Sequence, residues 1–414
     1  MLSISHKRFV IALISITFLG IGLYQIPEVN SRLGWRLDVA YTYLRGIIYP
    51  ADAPPSPLLP QAQMPSTRLS TPTQTPRSKP AGAPKTTATP SPSPTPLPDT
   101  VSLPSPVWEQ QDWNNCGPAA LALYLRMYGW QGDQYSISDL LKPERADRNV
   151  NVEELIYYAR TNAGWLNAEY RVGGDLIVLK EFLSAGIPVM VEEGFEIDTP
   201  YWPNDDLWAG HYLLLTGYDE NTQTFTGQDT YYGPDRQISY KALDTNWKAF
   251  NRVYILLYPP EQEETVKAIQ GQDWDPDKNR QHALELAKAE IEANPDDAFA
   301  WFNLGTNLVY FERYTEAAEA YDNARNLGLP QRMLRYQFSI FIAYFHASRT
   351  EDLMELTEYA LQRTPNSEEA LLWQGWGFYR MGKTNKALEN FNAALTANSN
   401  YQDAQYAIEY LNNN

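Results

Sequence analysis

One cysteine and four histidines in 414 residues leave little material for metal or disulfide chemistry. Cys116 alone cannot form an intramolecular disulfide or a cysteine-rich zinc site, and His6, His211, His282 and His346 are too scattered to form a recognisable metal cluster. No Asp-x-Asp-x-Asp-Gly loop is present either, so the carboxylates suggest no calcium site, and no metal or cofactor is expected. Basic side chains are outnumbered: 33 Lys and Arg against 50 Asp and Glu give a formal charge of −17. That sign repels phosphate backbones and argues against nucleic acid as a partner.

What is present divides into unlike segments, and the length implies about two to three domains. After Lys7 and Arg8 an uncharged apolar run extends from Phe9 to Tyr24 and on to Ile26, about the minimum for crossing a bilayer. Leu23, Tyr24, Gln25 and Ile26 lack the small residues of a cleavage site, which favours an uncleaved signal anchor over a cleaved signal peptide. The basic pair places the N-terminus inside, although Arg32 and Arg36 reduce the asymmetry, so the globular part is expected to be membrane-anchored and outside the cytoplasm. Glu28 to Tyr49 suits a short interfacial helix or a plain spacer, completing a segment 1–50.

Residues 51–106 hold 16 of the 30 prolines among Ser, Thr and Ala, a composition that builds no core and reads as a disordered, extended linker holding the rest tens of ångströms from the bilayer. Residues 1–50 sum to +3 and 51–106 to +2, so the remainder carries −22.

Residues 107–260 read as an α+β domain. Helical apolar spacing covers Ala119–Tyr128, Val152–Ala159 and Leu176–Leu183, followed by strands at Val189–Val191, Tyr212–Thr216, Thr224–Thr226 and Val253–Leu257. In 261–414 the strand signals vanish and a repeat takes over. Trp301, Leu304, Gly305, Leu308, Ala317, Tyr321 and Ala324 have tetratricopeptide spacing. Leu371, Gly375, Phe378, Ala387, Phe391 and Ala394 return to it, and Tyr344, Ala360 and Pro365 mark a degenerate copy between. Prolines at 295, 330 and 365 share the 35-residue period. An all-α solenoid of about three repeats is expected, with flanking helices at Arg280–Glu292 and Tyr401–Leu411.

Cys116 stands immediately before the first of these helices, in Asn114-Asn115-Cys116-Gly117-Pro118-Ala119-Ala120. A helix N-terminus favours thiolate, the nucleophilic form, and Gly117 and Pro118 suit a first turn. Lone cysteines are usually inert core residues, but an unpaired thiol outside the cytoplasm is exposed to oxidation, which favours a catalytic role. A cysteine nucleophile needs a base and a group that orients the base. His211, after Gly210 and opening the strand to Thr216, is the only imidazole of the α+β domain. Asp229 ends the next strand and would lie beside the start of its antiparallel neighbour, whereas Asp219 belongs to the distant turn. The insertion carrying Tyr201, Trp202, Asp205, Asp206 and Trp208 precedes His211, where it either overhangs a cleft or forms an ordinary surface loop.

Taken together, Gln110, Cys116-Gly117-Pro118-Ala119-Ala120, Gly210-His211-Tyr212, Gly217-Tyr218-Asp219 and Asp229 resemble the papain-like cysteine peptidases related to the double-glycine-leader peptidase of bacteriocin exporters. The resemblance implies a Cys116-His211-Asp229 triad, with Gln110, six residues before the cysteine, helping to form the oxyanion hole. No ATP-binding cassette or Gly-rich phosphate loop follows, so the stand-alone type is implied and peptide export is not. The expected activity is hydrolysis of peptide or amide bonds in a peptide or protein substrate, with the repeats recruiting a protein partner. An acyltransferase or cell-wall amidase would use the same site, and a non-catalytic surface scaffold would act through the repeats alone.

Overall fold

The computed structural model describes residues 27–50, 52–58, 96–143 and 149–413, with isolated positions before residue 27. The expected membrane span at Phe9–Ile26 lies largely outside the described residues, as does most of the linker, 59–95. Among the described residues no helix is long and apolar enough to cross a membrane. A helix α1, Pro27–Ile48, occupies the stretch expected to be an interfacial helix or spacer.

The α+β half is built on one antiparallel sheet. Its strands are β1 (Thr100–Ser102), β2 (Asn167–Arg171), β3 (Val189–Glu196), β4 (Trp208–Asp219), β5 (Thr224–Asp229), β6 (Gly233–Ser239) and β7 (Tyr254–Tyr258). They run in the order β2-β7-β3-β4-β5-β6, with β1 on β4. Thr100–Ser102 pairs with Gly217–Asp219, so the sheet begins ahead of residue 107, where composition alone had placed the boundary.

Strand alternation gives the sheet two cores. Met190, Tyr212, Leu214, Ile255 and Leu257 join the core of helices α2 (Cys116–Met127) and α4 (Val152–Asn162). Val189, Val191, Leu213, Leu215 and Leu256 join that of α5 (Leu176–Ser184). Residues 117–125 of α2 are all buried, which seats its N-terminus against the middle of the sheet. A further helix, α3 (Gln134–Leu141), is started by a capping box between Asp133 and Ser136, and α6 (Tyr240–Trp247) and α7 (Glu263–Gln270) flank β7.

The C-terminal half is helical throughout: α8 (Pro276–Ala293), α9 (Ala298–Tyr310), α10 (Tyr314–Leu327), α11 (Ser339–His346), α12 (Thr350–Arg363), α13 (Glu368–Arg380), α14 (Thr384–Ala397) and α15 (Gln402–Asn413). Gly305 faces the Tyr321 ring and Gly375 the Phe391 ring, where an added Cβ would stand 2.7 and 2.4 Å from ring atoms, so the small residues permit the close helix approach the repeat requires. The middle repeat departs from the period. Asp297 and Ser367 cap α9 and α13 with their side chains, and the position 35 residues from each is Arg332, which cannot cap. Regular helix therefore begins only at Ser339, and 330–338 runs as a loop with one 3₁₀ turn, Met333–Arg335.

That loop docks the repeats onto the α+β half. Arg332 donates to both oxygens of Asp205 at 2.5 Å, and both side chains are almost wholly buried. Trp208 stacks on Phe250 and Phe299 and meets Tyr336 edge-on, with centroids 5.9 to 6.1 Å apart. Asn251 and Asn307 bond reciprocally at 2.8 and 3.2 Å. Removing one partner of a buried ion pair leaves an uncompensated charge, so Arg332→Ala is expected to cost about 3–5 kcal/mol. Thermal melting of the full chain checks this, and an unchanged melt would show that the pair does not hold the halves together.

The chain before the sheet also fastens to the repeats. Arg363 donates to the Tyr49 and Pro50 carbonyls, the Tyr359 hydroxyl to the Asp52 carbonyl and Arg325 Nε to the Pro55 carbonyl, while Leu58 N–H donates to Asp352. The first residues of the expected linker are thus held by side chains of α10 and α12.

Candidate functional site

The left-handed backbone of Asn114, φ 52°, turns the chain into α2 and puts Cys116 at its first position. Gln134, buried at the start of α3, holds the preceding loop: its Oε1 accepts from Asp112 N–H at 2.7 Å and from the Asn115 side chain at 2.8 Å, and its Nε2 donates to the Gln110 carbonyl at 2.8 Å. Nothing in the sequence marks Gln134, because its partners lie across a loop and its own helix carries a polar, half-buried pattern.

His211 lies near the start of β4 and is buried. The β4–β5 register pairs Leu214 with Gln228, which sets Asp229 opposite Leu213 and on the same face as His211. Asp229 Oδ1 stands 3.0 Å from His211 Nε2. The imidazole also faces Cys116, and each group shifts the protonation of the other. The structure therefore brings together Cys116, His211 and Asp229, and it leaves Asp219 at the far end of β4. Asp229 is further fixed by the N–H groups of Tyr231 and Tyr232 at 2.8 and 3.0 Å and by Arg236 at 2.6 Å.

These contacts set the protonation states. Burial opposes charge on all three groups, and in each case the partners outweigh it. The Cys116 thiol is held below 9.0 by the hydrogen bond and charge of His211, the Tyr212 backbone and Lys142. His211 is pushed up to about 10 by Asp229 and Cys116. The Asp229 carboxyl is held well below the usual range by His211 and by the Tyr231 and Tyr232 amides. Both shifts act in the direction of a thiolate facing an imidazolium.

A cleft of about 590 Å³ opens over Cys116 and His211. Gln110 and Gln111 both line it, but they differ. Gln111 is tied down, its Oε1 accepting from Thr230 Oγ1 at 2.9 Å, while the exposed Gln110 side chain bonds to no described residue. The insertion does overhang the cleft through Tyr201 and Trp202. Sequence reasoning missed the opposite wall, where Arg332, Arg335 and Tyr336 come from the helical repeats. Among the described residues no cluster of three or more His, Cys, Asp or Glu is placed to hold a metal.

A sheet flanked by a cysteine-headed helix, with a histidine on its central strand, is the papain-like cysteine peptidase fold. Residues 103–257 match the Peptidase_C39 like family. That match covers the sheet-bearing half, and helices of tetratricopeptide spacing follow it. Among solved structures, the peptidase domain of Streptococcus ComA, a bifunctional ABC transporter of a quorum-sensing pathway, is similar at 17% identity over 37% of this chain and 98% of that one, TM-score 0.29. The tetratricopeptide protein YrrB, described as having an unusual peptide-binding site, is similar at 15% identity over 35% of this chain and 97% of that one, TM-score 0.19. The human protein O-mannosyl-transferase TMTC3 is 27% identical over 146 residues, 32% of this chain. The match spans only 16% of that relative's length.

Proposed function

We propose that the chain is a membrane-anchored, extracytoplasmic cysteine peptidase that hydrolyses peptide or amide bonds. The observation that carries the reading is the continuous Cys116–His211–Asp229 contact at the floor of an open cleft. The Cys116 thiolate attacks the carbonyl carbon, forming a C–S bond and moving the π electrons onto oxygen. The oxyanion is met by the Cys116 backbone N–H at the start of α2 and by the Gln110 side-chain amide. Collapse breaks the C–N bond as His211 gives its proton to the departing amine. Water then attacks the thioester, His211 takes its proton, and a C–O bond replaces the C–S bond, releasing the acid and restoring the thiolate. Asp229 keeps the imidazole oriented throughout. The basic Lys7-Arg8 pair ahead of the apolar run supports the anchor and the outward placement.

An acylating peptide-ester probe tests the reading, since it should label Cys116 at mild pH. A wild-type chain that no panel of such esters labels would remove the peptidase. The oxyanion role has its own check: Gln110→Ala is expected to lower turnover by about 100- to 1,000-fold with little change in binding. Alkylation of Cys116 by iodoacetamide should persist, because the thiolate depends on His211. Gln111→Ala should leave turnover largely intact, and equal loss of alkylation and turnover in Gln110→Ala would assign the glutamine a structural role instead.

A further inference from the structure

Arg335 sits in the same cleft as Cys116 and His211, yet it belongs to the repeat half. Its side chain is buried, the residue being 9% exposed, and its Nε and Nη2 have no hydrogen-bond partner. Among the described residues no carboxylate forms an ion pair with it, and the neighbour that hydrogen-bonds it is Tyr336. Asp205, an acid whose charge it feels, is engaged elsewhere: its oxygens accept from Arg332 twice and from the Tyr201 and Leu207 N–H groups. Arg332 itself is engaged, donating also to the Trp208 carbonyl at 3.0 Å and lying 4.1 Å over the Trp202 ring. Of the two arginines that reach the cleft, one is consumed by docking and the other is left with a bare edge.

That edge has a chemical meaning. Nε and Nη2 lie on the same side of the guanidinium and form the pair of parallel donors that matches the two oxygens of a carboxylate. A buried, unmatched cation is destabilising for the free protein, and burial does lower its affinity for the proton. The cost is recovered when an anion enters, and aromatic walls such as Tyr201, Trp202 and Tyr336 strengthen that attraction by excluding water. The middle repeat forgoes the start of a helix to place this segment here, since Arg332 stands where its neighbours have caps.

We propose that Arg335 is a specificity-determining residue that binds a carboxylate of the substrate, so that the cleft selects acidic peptides. The proposal rests on the peptidase reading of the same cleft for its assumption that the carboxylate belongs to a peptide. The carboxylate comes from an Asp or Glu side chain or from a free C-terminus, and the test separates the two.

Three pools of N-acetylated heptapeptides, randomised over residues other than Asp and Glu except at the centre, serve as probes: central Glu with an amidated end, central Gln with an amidated end, and central Gln with a free C-terminal carboxylate. Retention by the full chain carrying Cys116→Ala measures binding without turnover. One of the two acidic pools is expected to be retained about 100-fold better than the neutral pool, and which one identifies the source. Arg335→Gln should erase the preference, and Arg335→Lys, which keeps the charge without the fork, should restore part of it. Retention of the neutral pool by both variants at the wild-type level shows that they are folded, and a variant that fails this is replaced by the other. Equal retention of all three pools, or a preference that survives Arg335→Gln, overturns the proposal. Turnover by the native chain tests the peptidase separately. Acidic peptides bound selectively but never cleaved would remove the peptidase and keep the carboxylate site, whereas equal cleavage of neutral and acidic pools would do the reverse.

Discussion

Cys116→Ala is expected to lower turnover by about 10⁶-fold, and His211→Ala to come close to the same loss, because nucleophile and base act as one unit and either removal forfeits the acyl-enzyme route. The double substitution should be scarcely worse than either single one. The motive is the geometry at the head of α2, where the thiol shares the cleft with an imidazole that is itself held by a carboxylate. Single-turnover release from a peptide ester measures the effect. Residual turnover above roughly one per cent in Cys116→Ala would place the chemistry elsewhere.

The second large effect is a pH profile. The reactive state needs thiolate and imidazolium together, so kcat/KM should rise as pH passes the lowered pKa of Cys116 and fall as pH rises through about 10, where His211 loses its proton. The two limbs belong to the coupled pair rather than to either residue alone. Stability follows the same signs. His211 is raised from 6.5, so its ion-pair contribution is complete below about 6.5 and is lost as pH climbs through about 10. Asp229 is lowered, so its contribution is present above the ordinary carboxylate range and disappears on acidification. Asp229→Asn removes the charge that sustains the imidazolium. It should lower maximal turnover by about 10²- to 10⁴-fold and move the alkaline limb toward neutrality. An alkaline limb that stays in place would mean that another acid holds the imidazolium.

How much of this the sequence disclosed depended on whether the signal was local. The helix at Cys116, the strands β3, β4, β5 and β7, and the 35-residue repeat are written in short-range periodicity, and their residues are buried as that periodicity requires. β6 is not legible, because Gly233-Pro234-Asp235-Arg236-Gln237-Ile238-Ser239 is an edge strand with a single aliphatic side chain and alternates mostly between exposed and half-buried. β1 is three residues inside proline-rich surroundings and gains its order from β4. His211 and Asp229 could be found because the domain offers one imidazole and the strand order restricts its partner. Arg335 could not, since its role comes from a contact between halves far apart in the chain, and the repeat pattern that dominates its surroundings directs attention to helix packing instead. The missing cap at Arg332 was the available clue, visible only when the three repeats are aligned on their prolines.

The fastening of Tyr49–Leu58 to α10 and α12 alters what the proline-rich tract does. The chain is held there on the repeats and held again at Thr100–Ser102 on the sheet, so the residues on both sides of the tract are fixed to the folded part of the molecule. α1, whose 22 residues measure about 33 Å at helical rise, meets the insertion that borders the cleft near its C-terminal end, where a Cβ added to Gly46 would stand 2.4 Å from Trp202. The cleft is thus bordered by three parts of the chain that lie far apart in sequence, the sheet, the repeats and the helix ahead of the proline-rich tract.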